Sequence, residues 1–304
     1  MSTRIATIAR PAPSKASRGL PVMLLAAFLF AILGLLIKLL GPAYRVWDIA
    51  FYRFAGGAVI LYAIFSYRQN LFRPARPRLM LIRGLVGSIA FLSLTYAIQT
   101  IPLSTAMVLF YSFPAFAALF APLLSNDRIR LYEAGCILLA LAGVGIIFDF
   151  QMQGSLPGQL MAVVAAVFAG LTIALIRVLR QTHGSVIIYF FLCLVGGAVS
   201  MGPFLAHPRL PQNGIELMIV GGILLTSIIA QILMNHAFKY CKSWEGGLFM
   251  TSEVVFAAVF GILFLNEEAT WRFWIGGLLI FASAIAFNLQ IRFARRNTIG
   301  KGQG

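Results

Sequence analysis

Charge is the first thing this chain lacks. Asp, Glu, Lys and Arg make up 11% of its 304 residues and hydrophobic types 60%, which leaves too little polar surface to cover a water-soluble domain of this size. Acids are scarcer still: 9 stand against 24 Lys and Arg, for a net charge of +15. Cysteine is nearly absent. Cys136, Cys193 and Cys241 have no paired spacing, which argues against a disulfide framework and against a cysteine metal site. No Walker loop, DxD, HExxH or His/Cys cluster occurs. ATP-driven work by this chain alone and metal-dependent chemistry are therefore unsupported, and neither cofactor nor metal is expected.

What the chain does have is long apolar runs. Ten of them, at about 21–40, 49–67, 79–99, 103–125, 131–149, 157–177, 185–205, 215–237, 244–265 and 272–291, are long enough to cross about 30 Å of hydrocarbon at 1.5 Å per residue. Turn and charge signals separate them, such as Gly41-Pro42, Arg73-Pro74 through Pro77-Arg78, and Pro208 to Pro211. The expected fold class is an all-α integral membrane protein of ten transmembrane helices, with no soluble domain left over. The apolar run after the basic residues 1–20 is as long as a full span and lacks a clear small-x-small cleavage site. It reads as a retained first span, not a signal peptide.

Basic residues set the expected orientation. The N-terminus, the loops after spans 2, 4 and 8, the end of span 6 and the C-terminal tail together hold 18 Lys and Arg on one side, against 3 (Arg45, Arg209, Arg272) on the other; Lys38, Arg53 and Arg83 lie within or at the edge of spans. The positive-inside rule then places both termini in the cytoplasm. Such basic runs contact the inner leaflet, so the net +15 calls for no nucleic-acid partner.

One phrase is written twice. Phe-Ala-Ala-x-Phe-x-x-Leu-x-x-Asn-acid ends at Asn126-Asp127 and again, 140 residues later, at Asn266-Glu267. Between Ser112 and Asn126 the offset gives 7 identities in 15 positions, and Leu36-Ile37 and Lys38 echo Leu175-Ile176 and Arg177 at an offset of 139. Spans 1–5 thus correspond to spans 6–10, in units 21–150 and 155–292, flanked by 1–20 and a basic tail 293–304. Because five is odd, the second unit enters the membrane from the opposite face. That is the inverted repeat of secondary transporters, whose site lies near the midplane where the halves meet.

Tyr52-Arg53-Phe54, Arg83-Gly84, Thr95-Tyr96-Ala97 through Pro102, Thr105-Ala106, the two Asn-acid phrases and Ser252-Glu253-Val254 through Ala258 resemble the ten-helix drug/metabolite transporter superfamily, EamA-like group. The likeness spans nearly the whole chain. Val254 stands where the family often has proline, while Pro114 fills the corresponding place in the first half. The resemblance implies a polytopic inner-membrane carrier of small metabolites, two EamA-like units around a central cavity. It also implies that spans 5 and 10 are peripheral, which removes Glu133 and Asn288 from the substrate candidates.

Polar groups inside spans need a reason, because a charge at that depth is costly unless it faces water or a partner. Glu253, roughly 13 Å into span 9 on the helical rise, is the leading candidate as proton carrier or site for a substrate amine; the alternative is a carboxyl hydrogen-bonded to a neighbouring helix. Arg53 either binds a substrate carboxylate or snorkels outward, with a direct bridge to Glu253 not expected. Lys38 and Arg177 read as snorkelling residues. Ser227, Gln231 and Asn235 share one face of span 8, and Thr95 and Gln99 one face of span 3. These stripes line a wet cavity or bond neighbouring helices. Tyr111, Ser112, Thr251 and Ser252 carry hydroxyls that contact substrate or pack helices. His236 reads as interfacial. Asp127 and Glu267 read as structural, starting the next helix.

The function expected is secondary transport, by alternating access, of a small amphipathic or zwitterionic metabolite such as an amino acid, S-adenosylmethionine or a vitamin, with protons as a candidate coupling ion. Lipid and a small solute are the expected partners. The working unit is expected to be a single chain, with a dimer as the alternative. The rival reading is an integral-membrane transferase with a polar intramembrane pocket, though such an enzyme needs acids or histidines clustered at one face and here they are scattered. A channel would need a ring of charges or a repeated filter sequence.

Overall fold

The computed structural model describes residues 15–41, 43–67, 70–101, 103–125, 131–147, 155–241 and 243–265, and beyond these only 271, 274–279, 282–283 and 286. Asn126, Asp127, Asn266, Glu267 and most of the tenth span lie outside the described residues, so the twice-written phrase can be followed only up to its last two positions. Everything regular among the described residues is α-helix. The helices are α1 (Lys15–Leu40), α2 (Val46–Phe65), α3 (Pro77–Thr100), α4 (Leu103–Phe110), α5 (Phe113–Ser125), α6 (Leu131–Ile147), α7 (Leu156–Leu179), α8 (Ser185–Ala206), α9 (Gly214–Ala237), α10 (Ser243–Met250) and α11 (Ser252–Leu265).

Local chemistry marks the ends of these helices. Ser155 and Asn213 cap α7 and α9 by accepting from the N–H of Gly158 (3.3 Å) and Glu216 (2.8 Å). Pro77 sits in the first turn of α3, where its missing N–H costs nothing. α1 stops at Gly41, whose φ of 74° is open to glycine without strain. Seven segments are long and apolar enough to cross a membrane: Gly19–Leu40, Val46–Phe65, Pro77–Thr100, Leu156–Leu179, Ser185–Ala206, Gly214–Ala237 and Glu245–Phe264. Phe113–Leu124 and Ala134–Gly143 are shorter apolar helices. Large apolar side chains such as Leu81, Val59 and Leu225 face outward, as lipid permits and water does not.

The expectation of continuous spans at 103–125 and 244–265 is corrected. Each is broken in the middle, at Tyr111-Ser112 and at Thr251. In the first break, Pro114 supplies no N–H and its ring excludes the carbonyl of Phe110, so the helix stops and restarts with proline in its first turn. In the second there is no proline. The Thr251 hydroxyl instead donates to the carbonyl of Leu248 at 2.6 Å, and its N–H is shared between the carbonyls of Gly247 and Leu248. The Ser112 hydroxyl makes the matching bond to Leu109, also at 2.6 Å.

Packing joins early helices to late ones: α1 lies on α9, α3 on α7, α2 on α8, α5 on α7, α1 on α11, and α10 on α5. All of these but the last map onto one another when α1 is exchanged for α7, α2 for α8, α3 for α9 and α5 for α11. Hydrocarbon gives helices little hydrophobic reason to associate, so close fit has to hold them. A Cβ on Gly170 would stand 2.6 Å from Cβ of Phe116 and 2.7 Å from the Ala117 nitrogen, and one on Gly196 would meet the Phe54 ring at 2.5 Å. Glycine is what lets α7 touch α5, and α8 touch α2.

Candidate functional site

The two breaks lie beside a cavity of about 160 Å³ lined by residues of α1 to α5 and of α7 to α11. On the usual measure of some 10–15 Å³ per water, that is room for on the order of ten waters or a small organic solute. The walls are mostly apolar, with phenylalanine, methionine, leucine and isoleucine throughout. Among the described residues, polar side chains come from Arg53, Arg83, Thr95, Thr172, Gln231 and Glu253.

Glu253 sits in the first turn of α11, a place where the helix dipole suits an acid. Its half-buried side chain borders the cavity with the Tyr111 phenol of the other break beside it, although that fully buried hydroxyl makes no hydrogen bond of acceptable geometry. Arg53 is 5% exposed. Its Nη2 donates to Gln231 Oε1 at 3.4 Å and its guanidinium lies over the Phe91 ring, 4.1 Å from the centroid. It acts on Glu253 through the field across the cavity, and no ion pair joins the two. The snorkelling alternative for Arg53 is therefore corrected: the side chain turns inward.

Of the eight sequence candidates, Glu253, Arg53, Gln231 and Thr95 border the cavity. Thr95 spends its hydroxyl on the Phe91 carbonyl at 2.8 Å. The other four do not line it. Asn235 is fully buried and donates to the Ser185 carbonyl at 3.3 Å while accepting from Gln231 at 3.4 Å. Tyr111 stands behind Glu253, and Ser112 and Thr251 close the helix breaks. Of the i, i+4, i+8 row of Ser227, Gln231 and Asn235, only the middle member borders the cavity. Ser227 meets Tyr189 at 3.5 Å instead. Gln99 reaches the Tyr44 carbonyl at 2.7 Å. Lys38 and His236 are exposed, as expected of interfacial residues, whereas Arg177 donates to the carbonyls of Phe238 and Lys239 rather than snorkelling.

Sequence reasoning passed over Arg83 and Thr172. Arg83 was visible as a charge inside a span, yet its position six residues into α3 let it pass for an interfacial group. In the structure it is fully enclosed and borders the cavity. Thr172 carried no signal that distinguished it from a packing hydroxyl.

Each end of the bundle is tied across the halves. At one end Tyr44 donates to Glu216 Oε2 (2.7 Å), Tyr52 to the Arg209 carbonyl (2.7 Å), and Arg45, paired with Asp48 at 2.8 Å, to the His207 carbonyl. At the other, the Ala75 N–H donates to His183 Nε2 at 3.0 Å. No group of three or more His, Cys, Asp or Glu suited to a metal occurs among the described residues.

Comparison with known proteins agrees with this architecture. The chain is 28% identical to solute carrier family 35 member G1 of Homo sapiens over 285 residues, 88% of this chain and 78% of that one. It is 26% identical to the pseudopaline exporter CntI of Pseudomonas aeruginosa (strain UCBPP-PA14) over 275 residues, 89% and 95% of the two chains. The S-adenosylmethionine uptake transporter of Rickettsia bellii (strain RML369-C) is 22% identical over 231 residues, 76% of this chain and 79% of that one. A solved crystal structure superposes with a TM-score of 0.77 at 20% identity, covering 91% of this chain and 99% of the other, and so shares the fold. The model of the EamA-like transporter family matches twice, at residues 17–149 and 156–289. The transferase alternative falls with these matches, since both the family and the named relatives are transporters. With both halves matched and membrane-spanning helices throughout, the chain belongs to the EamA-like transporter family, within the drug/metabolite transporter superfamily, as a multi-pass membrane transporter.

Proposed function

We propose that this protein is a secondary carrier that moves a small amphipathic or zwitterionic metabolite across the inner membrane by alternating access, with Glu253 exchanging a proton or receiving a substrate amine. The observation that carries this reading is the pair of broken helices meeting at a cavity built from both halves, with Glu253 the one acid among the described residues that line it. Broken helices are how transporters put polar groups at membrane depth without leaving backbone bonds unmade in lipid.

In this reading ten spans form two inverted five-helix units, 21–150 and 155–292, with both termini in the cytoplasm. The exchange symmetry of the helix contacts supports the inversion, and the distribution of Lys and Arg supports the orientation. Rocking one unit against the other opens the cavity alternately to each side, and the ties at Tyr44–Glu216 and at Ala75–His183 break in turn. A single chain supplies the whole cavity, so it is the transport unit. The relatives are named for export in one case and uptake in another, and the proposal is indifferent to direction.

Purified protein in liposomes tests it. Saturable flux that shows counterflow is expected, slowed in Glu253→Gln with an altered pH profile. Linear, unsaturable flux would make the protein a channel. An unaltered pH profile in Glu253→Gln would reduce Glu253 to a structural role.

A further inference from the structure

The carrier reading leaves Arg83 unexplained. It is the largest side chain among those the protein encloses completely. Its Nε and Nη1 have no hydrogen-bond partner, and neither does Nε of Arg53. Both guanidinium groups border the cavity and lie near enough to repel one another, yet among the described residues neither is in an ion pair with an acid. Two buried guanidinium groups face a single acid, Glu253, across the cavity and pair directly with none, so the lining carries an uncompensated positive charge, which is unfavourable away from water.

The local construction favours this placement. Arg83, Gly87, Phe91 and Thr95 recur at i, i+4, i+8 and i+12 along α3, and all four border the cavity. A Cβ on Gly87 would stand 2.5 Å from Arg83 Nη1, so a bare backbone is what lets that guanidinium lie along the helix. One turn on, Phe91 carries the Arg53 guanidinium on its ring face. A single stripe of α3 thus seats both cations on one wall, while Glu253, with Tyr111 behind it, stands on the broken-helix wall.

We propose that Arg53 and Arg83 form a carboxylate-binding subsite, and that the carried solute is an organic anion with at least one more carboxylate than its ammonium groups balance. This rests on the carrier reading and narrows it from amphipathic or zwitterionic solutes to net-anionic ones. Guanidinium groups match carboxylate geometry through paired N–H donors, and the surrounding phenylalanines keep water from weakening the contact. Glu253 takes any ammonium the solute carries. The excess of one fixed positive charge over an ionised Glu253 suits a carboxylate better than a doubly charged phosphate ester.

The test uses the full chain in liposomes loaded with the water-soluble fraction, below about 1 kDa, of an extract of the host cells, with mass spectrometry of what leaves. Net-anionic carboxylates are expected to leave wild-type vesicles. Arg83→Gln should cut their efflux roughly tenfold or more, on the scale of a hydrogen bond to a charged group, and Arg83→Lys should recover part of it. Efflux of neutral solutes, cations or phosphate esters instead, or unchanged carboxylate efflux in Arg83→Gln, overturns the subsite and leaves the carrier standing. No efflux of any solute from wild type sinks the carrier reading itself. If Arg83→Gln fails to fold, Gly87→Ala serves: it keeps both arginines and displaces chiefly the Arg83 guanidinium, with Leu192 Cδ1 next at 3.0 Å, and undiminished carboxylate efflux from it overturns the subsite equally.

Discussion

Phe113 and Glu253 occupy equivalent places 140 residues apart, in the first turns of α5 and α11, just beyond the breaks. One half puts an aromatic ring against the cavity there and the other a carboxyl. The same asymmetry runs in the opposite sense on the facing wall. Arg53 and Arg83 belong to the first half, and their counterparts in the second, at offsets of 139 and 140, are Leu192 and Ile223. Duplication has preserved the backbone devices, namely the breaks and the crossing pattern, while the charges have been divided: cations to one half, the acid to the other. A symmetric backbone suits a motion that must run both ways, and an unsymmetric set of side chains gives the solute one way to lie.

The comparison breaks if charge is not what distinguishes the halves at the breaks. Glu253→Gln is expected to lower flux in liposomes roughly tenfold to a hundredfold. Phe113→Leu, an exchange of one apolar side chain for another, should stay within about threefold of wild type. Equal losses in the two variants would mean that both positions act by packing.

The packing of the halves offers a second contrast, read as stability. Gly170 of α7 corresponds to Ala31 of α1 at an offset of 139. α7 approaches α5 so closely that a Cβ at 170 would press on the Ala117 backbone nitrogen, whereas α1 meets α11 through aromatic edges, Phe28 against Phe256 and Phe260 at 5.4 and 5.6 Å. Gly170→Ala should therefore cost about 1–3 kcal/mol by overpacking. Ala31→Gly should cost about 1 kcal/mol through helix propensity. Thermal melting in detergent, followed by size-exclusion recovery, ranks the two; a stabilised Gly170→Ala protein would show that α7 and α5 are not in close contact.

The ties at the two ends differ in their response to pH. His183 and Tyr44 are counterparts at an offset of 139, and both lie in loops outside the spans. Burial, with Arg76 nearby, lowers the His183 pKa despite a bond to the Leu179 carbonyl. Its Nε2 accepts from Ala75, so the folded protein holds the neutral ring with its proton on Nδ1. Because the folded value lies below the unfolded one near 6.5, the contribution of this tie is whole above that pH and is lost as the pH falls below it and through the folded value. Burial, and then the bond to Glu216, push Tyr44 up to about 12. Its contribution is whole below about 10 and is lost only as the pH rises through about 12. From pH 8 down to 5.5, melting temperature should fall by the equivalent of about 1 kcal/mol. His183→Gln should flatten that slope, while Tyr44→Phe should leave the slope and lower the whole curve. A slope that survives in His183→Gln would assign it elsewhere.

These pairs also show what could be read ahead of the structure and what could not. Spans were readable because length and apolarity are properties of a segment, and the duplication because identical residues recur at a fixed offset. The first break was half visible, since Pro114 in the middle of a span forbids the bond to Phe110. The second was not, because it depends on which carbonyl the Thr251 hydroxyl reaches, a matter of rotamer and neighbours. Glu253 and Arg53 were found by the cost of their charge. Arg83 was missed because depth along a helix does not reveal which way a long side chain turns, and a glycine one turn on, Gly87, makes room along the helix without announcing that the room is used.

The smallest expected effect concerns the breaks themselves. Ser112 and Thr251 each donate to the carbonyl three residues back at 2.6 Å, but Ser112 is partly exposed and has Pro114 two residues on, while Thr251 is fully buried in a break with no proline. Removing the hydroxyl from Ser112 should therefore cost only a few tenths of a kcal/mol, because the proline ring still forbids a continuous helix. Removing it from Thr251 should cost about 1 kcal/mol, leaving the Leu248 carbonyl with only its share of the Thr251 N–H. Ser112→Ala and Thr251→Ala, compared by melting temperature and by backbone hydrogen exchange at Ser252 to Val255, separate the two devices. Faster exchange is expected in Thr251→Ala and none at Phe113 to Phe116 in Ser112→Ala. Equal effects at the two breaks would mean that the proline is incidental and that both halves hold their breaks by the hydroxyl alone.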